Sequence, residues 1–445
     1  MASSLFLLLL LPLLLSAATT DVTASIGVNY GAYADNLPPP SQVASFLKSS
    51  TTIDRVKLFD SNPDFIRAFA GTGISLAITA PNGEIPNLSK PPGAAAWLAS
   101  SVLPFLPATN ISLILVGNEI MATADRNLIA HLVPAMRSLK SALSSAGYPH
   151  VRVSTPHSLG ILSSSDAPSS GRFRRGYDRA IFAPMLRFHR DTNTPFVVNP
   201  YPYFSYNDRT LSYALFRPNA GVWDPVTRIN YTNMFDAQMD AVHAAMDRLG
   251  FGDVEILIGE TGWPSAGDPG QLAVDPATAA EFNGKLIRKV TSGGGTPRMP
   301  GRRFETYLFA LFNENLKPGP TAERNWGLFR PDLSPVYDVG VLRAGQTGRP
   351  TPAPSGTKWC VPKPGASESA LQANIEYVCS TNMVDCKQIQ NGGSCFLPNT
   401  VQNHAAYAMN AYYQAAGRND FNCDFRQTAT LSASDPSYGT CKFTS

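Results

Sequence analysis

The chain has 445 residues, 44% of them apolar and 16% charged, so it is too long for one ordinary domain and can bury a sizeable core. Its 36 Lys and Arg against 33 Asp and Glu leave a formal charge of +3, which excludes the basic density of a nucleic-acid binder. Length alone points to about two or three domains.

The chain opens "MASSLFLLLLLPLLLSAATT". An apolar run over residues 5–15 is followed by small residues Ser16, Ala17 and Ala18, the shape of a secretory signal peptide. The pattern departs from a signal in having no Lys or Arg before the run, where only the amino terminus supplies positive charge; the alternative is a transmembrane anchor, but the run is shorter than the roughly 20 residues that a bilayer span needs. Residues 1–24 are therefore predicted to be a signal, cleaved between Ala18 and Ala24, with no membrane span afterwards and an extracellular or cell-wall destination. The C-terminal "SYGTCKFTS" carries no hydrophobic tail, which argues against a glycosylphosphatidylinositol anchor.

Eight short apolar runs follow, at 25–31, 54–60, 74–80, 111–119, 150–157, 195–203, 254–264 and 304–314. Helix-like stretches lie between several of them, such as 127–147 and 231–250. The second stretch spaces Phe235, Met239, Val242 and Met246 three or four apart and ends at Gly250, a C-cap signal. Strands alternating with helices predict a parallel sheet, and closure into a (β/α)8 TIM barrel is the economical arrangement over residues 25–341. An open doubly wound sheet is the rival, but no G-x-G-x-x-G follows the first strand.

Residues 342–357 are rich in Pro, Gly and Thr and read as an extended linker. All six cysteines come after it, in 358–445: Cys360, Cys379, Cys386, Cys395, Cys423 and Cys441. In an exported chain this even count reads as a disulfide framework whose pairing spacing leaves open. Zinc is the weaker alternative, because no C-x-x-C pair occurs and His404 is the only histidine nearby. Asn87, Asn110 and Asn230 each open an N-x-S/T sequon and are candidate glycosylation sites.

Active sites of such barrels sit at the C-terminal ends of the strands. Three glutamates are predicted there: Glu119 after the fourth strand, Glu260 after the seventh and Glu314 after the eighth. Two carboxyl groups across a cleft are the minimum machinery for cleaving a glycosidic bond, one as protonated acid and one as ionised nucleophile or base. Asn118 is placed to reach a sugar hydroxyl. Tyr30, Tyr201, Tyr203, Phe204, Tyr206, Trp263 and Trp326 crowd the same face as candidate sugar platforms. The plainer alternatives are a glutamate serving a helix N-terminus, tyrosines that only pack, and a Trp263 that only fills the barrel rim.

The motifs "IGVNYG", "VKLFD", "LVGNE", "VNPYPYF", "IGETGWP" and "LFNENLKPGPTAERNWGLF" occur in that order over residues 25–342. Together they resemble plant β-1,3-glucanases of glycoside hydrolase family 17. The segment 358–443 resembles the cysteine-rich carbohydrate-binding module often attached to these enzymes. The resemblance implies an endo-acting retaining hydrolase of β-1,3-glucan, with Glu119 as proton donor and Glu260 as nucleophile. It implies no metal and no cofactor, and β-1,3-glucan as the partner; nothing in the sequence demands more than a monomer. Glu314, Lys317 and Glu323 match a charged group that hydrogen-bonds the donor and tunes its ionisation. The family often has Arg where this chain has Lys57 and Ser where it has Thr261; both changes read as mild, and neither as touching the two carboxylates. The implied disulfides are Cys360–Cys423, Cys379–Cys386 and Cys395–Cys441. Retention places the carboxyl groups about 5–5.5 Å apart, against about 6.5–9.5 Å for inversion. Transglycosylation by the same intermediate, or a glucan-binding wall protein without turnover, are the alternative functions.

Overall fold

The structure is a computed structural model that describes residues 26–343 except 166, and 358–444 except 382, 417, 419, 433 and 434. The expected signal peptide and linker residues 344–357 lie outside the described residues.

Runs rich in Val, Ile and Leu form the strands β1 (Ile26–Tyr30), β2 (Ile53–Leu58), β3 (Ser75–Ala80), β4 (Asn110–Val116), β5 (Arg152–Ser154), β6 (Pro156–Ser158), β7 (Phe196–Asn199), β8 (Ile256–Thr261) and β9 (Thr306–Leu308). All pair in parallel, in the order β5-β4-β3-β2-β1-β9-β8-β7-β6. The two ends of that order, β5 and β6, are separated in the chain only by Thr155. They are two halves of one stave: Arg152 pairs with Leu113 of β4, and Pro156 pairs with Val197 of β7. The ring is therefore an eight-stave barrel with its fifth stave broken, and the open-sheet alternative is excluded.

The period of two along each strand sorts the core. Ala77, Leu113, Leu115, Val197, Leu257 and Tyr307 form a cluster of their own, the lumen of the barrel. Their neighbours Ile78, Ile114, Val116, Phe196, Val198, Ile256 and Ile258 belong to the larger cluster under the helices. The helix Arg126–Ser145 buries Ile129, Leu132, Val133, Met136, Leu139 and Leu143 against that layer, and Asp125 caps it by accepting the N–H groups of Asn127 and Leu128. The helix Met234–Arg248 stops as expected before Gly250, which has φ +81°, and the Phe251 N–H returns to the Met246 carbonyl.

In the tail, Trp359–Pro362 pairs antiparallel with Ala429–Ser432, beside the helices Glu368–Ser380 and Val401–Ala415. The disulfides are Cys360–Cys423, Cys379–Cys386 and Cys395–Cys441, the pairing the resemblance implies. Among the described residues no helix is long and apolar enough to cross a membrane. Asn87, Asn110 and Asn230 are all exposed.

Candidate active site

A cavity of about 640 Å³ opens at the C-terminal ends of the barrel strands, within the size range of small-molecule sites. Glu119 and Glu260 both line it. Glu119 follows β4 through Gly117, whose φ of +68° is one that glycine adopts without strain. Glu119 itself has φ 49° and ψ 42°, a left-handed conformation that costs a non-glycine residue about 1–2 kcal/mol. Its N–H donates to the Pro156 carbonyl at 3.1 Å, so the broken fifth stave helps to hold the turn. Such strain at a cavity wall marks a side chain whose direction matters more than its backbone comfort.

Glu260 reaches the same cavity by another route. Leu257 faces the lumen, so strict alternation would turn Glu260 outward. The pairing of β8 with β9 shifts register between Ile258 and Thr261, and this irregularity re-aims the carboxylate into the mouth. Gly259 is required just before it. A Cβ there would sit 2.7 Å from Val197 Cγ1 and 2.8 Å from Asn199 Oδ1.

The two carboxylates have different partners. Glu260 Oε1 accepts from Lys57 Nζ at 2.6 Å, an ion pair in which Lys57 is 0% exposed, and Oε2 accepts from the Tyr201 hydroxyl at 3.1 Å. Burial and the charge of Glu260 hold the Tyr201 phenol well above its ordinary range, so it stays a neutral donor. Glu119 Oε1 accepts from the neutral amide Asn199 Nδ2 at 2.8 Å. Burial first, and the negative charge of Glu260 second, push the Glu119 carboxyl upward; the Asn199 hydrogen bond and the Lys57 charge oppose this. One carboxyl is thus biased toward its protonated form, while the other is paired with a cation. That division suits an acid and a nucleophile.

Residues 26–341 match the profile of glycosyl hydrolases family 17, and residues 358–430 match the X8 domain. The chain belongs to glycosyl hydrolase family 17. A glucan endo-1,3-beta-glucosidase of Triticum aestivum is 56% identical over 99% of this chain and all of its own length. A glucan endo-1,3-beta-D-glucosidase of Olea europaea is 46% identical over the whole of this chain and 98% of its own. Among solved structures, a β-1,3-glucanase and allergen of Cryptomeria japonica pollen superposes with a TM-score of 0.67 at 40% identity, over 71% of this chain and 98% of that one.

Within this family-17 barrel, several sequence expectations meet their geometry. Asn118, Tyr201, Phe204, Lys317, Glu323 and Trp326 line the cavity. The side-chain oxygen of Asn118 is buried without a partner among the described residues. Lys317 pairs with Glu323 at 3.0 Å and lies 4.4 Å over the Phe309 ring.

Other expectations are corrected. Lys57 does touch a carboxylate, because β2 alternation carries its side chain to Glu260. The bond to Glu119 comes from Asn199, not from Glu314, Lys317 or Glu323; Glu314 lies outside the cavity lining and accepts the Tyr33 N–H at 2.9 Å. Burial raises the Glu314 carboxyl from its ordinary value. Tyr30 does not line the cavity either: its ring packs between Phe65 and Phe312 in the core. Trp263 is 0% exposed and fills the rim, donating its indole N–H to the Ala273 carbonyl at 2.8 Å. Tyr203 and Tyr206 pack against it.

Asn199, Phe59 and Phe309 line the cavity without having been singled out from the sequence. A signal for Asn199 was present: a polar residue at the C-terminal end of an apolar strand, the same signal that marked Glu119 and Glu260.

Proposed function

We propose that the protein is an exported, endo-acting hydrolase of β-1,3-glucan that works by double displacement, with Glu119 as acid and base and Glu260 as nucleophile. Residues 25–341 carry the chemistry, 342–357 link, and 358–445 grip the polymer. Glu260 attacks the anomeric carbon while Glu119 gives its proton to the departing glycosidic oxygen. Glu119, now ionised, then takes a proton from water, and that water opens the glycosyl-enzyme with net retention. Lys57 and Tyr201 aim the Glu260 oxygens, and Asn199 aims Glu119. Asn118 and Trp326 line the cavity, with the Asn118 side-chain oxygen and the Trp326 indole N–H buried in its wall and without a hydrogen-bond partner among the described residues. Rings of Phe204, Phe309 and Trp326 supply apolar wall. The tail tethers the enzyme to an insoluble polymer, raising its effective concentration there.

The observation that carries this reading is the contrast between the two carboxyls in one cavity: Glu119 raised by burial and bonded to an amide, Glu260 paired with Lys57. The test is a pair of variants. Glu119→Gln is expected to lose about 10²–10⁴-fold in turnover of β-1,3-glucan, the usual worth of a general acid. Its kcat/KM, which reports the glycosylation step alone, should fall far less on an aryl glycoside, whose acidic phenol leaves without a proton. Glu260→Gln is expected to abolish turnover of both substrates. Equal losses in kcat/KM on both substrates for Glu119→Gln would remove it from the acid role.

A further inference from the structure

Between β7 and the helix Met234–Arg248 the chain folds into a two-stranded antiparallel ribbon, Val222–Asp224 against Ile229–Tyr231. Trp223 lies directly opposite Asn230, so their side chains share one face of the ribbon. The other face turns inward. Asp224 is buried and accepts the Ser169 N–H and hydroxyl, both at 2.7 Å, and Tyr231 is buried with its hydroxyl on Asp240. The outer face is therefore fixed, and it leaves Trp223 58% exposed with Val226 of the turn 79% exposed.

Asn230 opens the sequon Asn230-Tyr231-Thr232, and its Nδ2 donates to the Ala220 carbonyl at 3.0 Å. That bond uses one of the two amide hydrogens. An N-linked sugar replaces the other, so a glycosylated Asn230 keeps its anchor to Ala220 while the sugar leaves from a fixed amide beside an uncovered indole. The remaining sequons lack this arrangement: Asn110 pairs with Ser75, and Asn87 lies in the short helix Ile85–Leu88.

We propose that Asn230 carries an N-linked glycan whose first sugar packs on the Trp223 ring. Attachment balances as a transfer from a lipid-diphosphate oligosaccharide. The amide nitrogen bonds to the reducing-end anomeric carbon, that carbon's bond to the diphosphate oxygen breaks, the amide gives up one proton, and the lipid diphosphate departs. The sugar C–H face then covers apolar area that the ribbon leaves in water. The proposal rests on export of the chain and not on the assignment of Glu119 and Glu260.

Residues 25–445 are to be secreted from a eukaryotic host behind the host's own export leader. Enzymatic glycan release in 18O-water with peptide mass spectrometry then reads occupancy at Asn87, Asn110 and Asn230. Hydroxyl-radical footprinting reads the oxidation rate of Trp223. Asn230 is expected to be occupied, and Trp223 to oxidise several-fold more slowly than in the deglycosylated protein. Asn230→Gln and Thr232→Ala should both show the faster rate. An unoccupied Asn230 in the secreted protein, or an occupied one with unchanged Trp223 oxidation, overturns the proposal. Glucan turnover is not read, so failure of the catalytic assignment leaves this test intact.

Discussion

Two residues give the paired carboxyls their different partners. Lys57 meets Glu260 from 203 positions away in the chain, and Asn199 meets Glu119 from 80. Neither pairing is local, so composition and spacing do not reveal it, although Asn199 is legible as the polar end of an apolar strand. The Lys57–Glu260 pair is buried, and removing one partner strands the other's charge. Lys57→Met is therefore expected to destabilise the barrel by about 3–5 kcal/mol in urea unfolding. Adding Glu260→Gln should restore much of this; an additive double variant would mean that the two do not interact. Asn199 acts on Glu119 through one hydrogen bond, and the sign of its effect is definite. Its N–H stabilises the ionised carboxylate, so Asn199→Ala raises the Glu119 pKa further. The acid then stays protonated to higher pH, and the alkaline limb of the kcat/KM profile moves up. A limb that stays or moves down contradicts the role given to Asn199.

At the scale of elements, the eight apolar runs locate the eight staves because strands covered on both faces need continuous apolar sequence. The break at Thr155 escaped that reading: 150–157 is one run in sequence, yet its halves pair with different neighbours. The re-aiming of Glu260 escaped it too, since a register shift depends on the partner strand. Gly259 shows what the shift demands. A methyl group there presses on Val197 and on the oxygen of Asn199. Gly259→Ala is expected to cost about 1–3 kcal/mol by overpacking. It should lower turnover beyond the loss of folded protein, because Asn199 is displaced from Glu119. Unfolding curves and kcat on the same preparation separate the two effects.

At the scale of the whole molecule, chemistry and cross-linking are segregated. All six cysteines lie in the tail, and the barrel has none. Reductant is expected to release the tail from insoluble glucan and leave turnover of a soluble glucan unchanged. The barrel has its own sensitivity, to acid. His157 and His189 are buried, and burial lowers both to about 3. The unfolded chain takes up their protons near pH 6.5 while the folded one does not, so their contribution is complete above pH 6.5 and is lost as pH falls toward 3. Each histidine is expected to remove about 2 kcal/mol of stability between pH 7 and pH 5. The urea midpoint should fall over that window, and His157→Asn with His189→Gln should flatten the fall. The central claim also belongs to this scale: closure of the barrel brings β4 and β8 to one anomeric centre. Trapping with a 2-fluoro β-1,3-linked glucosyl fluoride, followed by peptide mass spectrometry, tests it most directly. The account requires the fluorosugar on the peptide carrying Glu260 and none on the Glu260→Gln protein; a label on any other residue contradicts it.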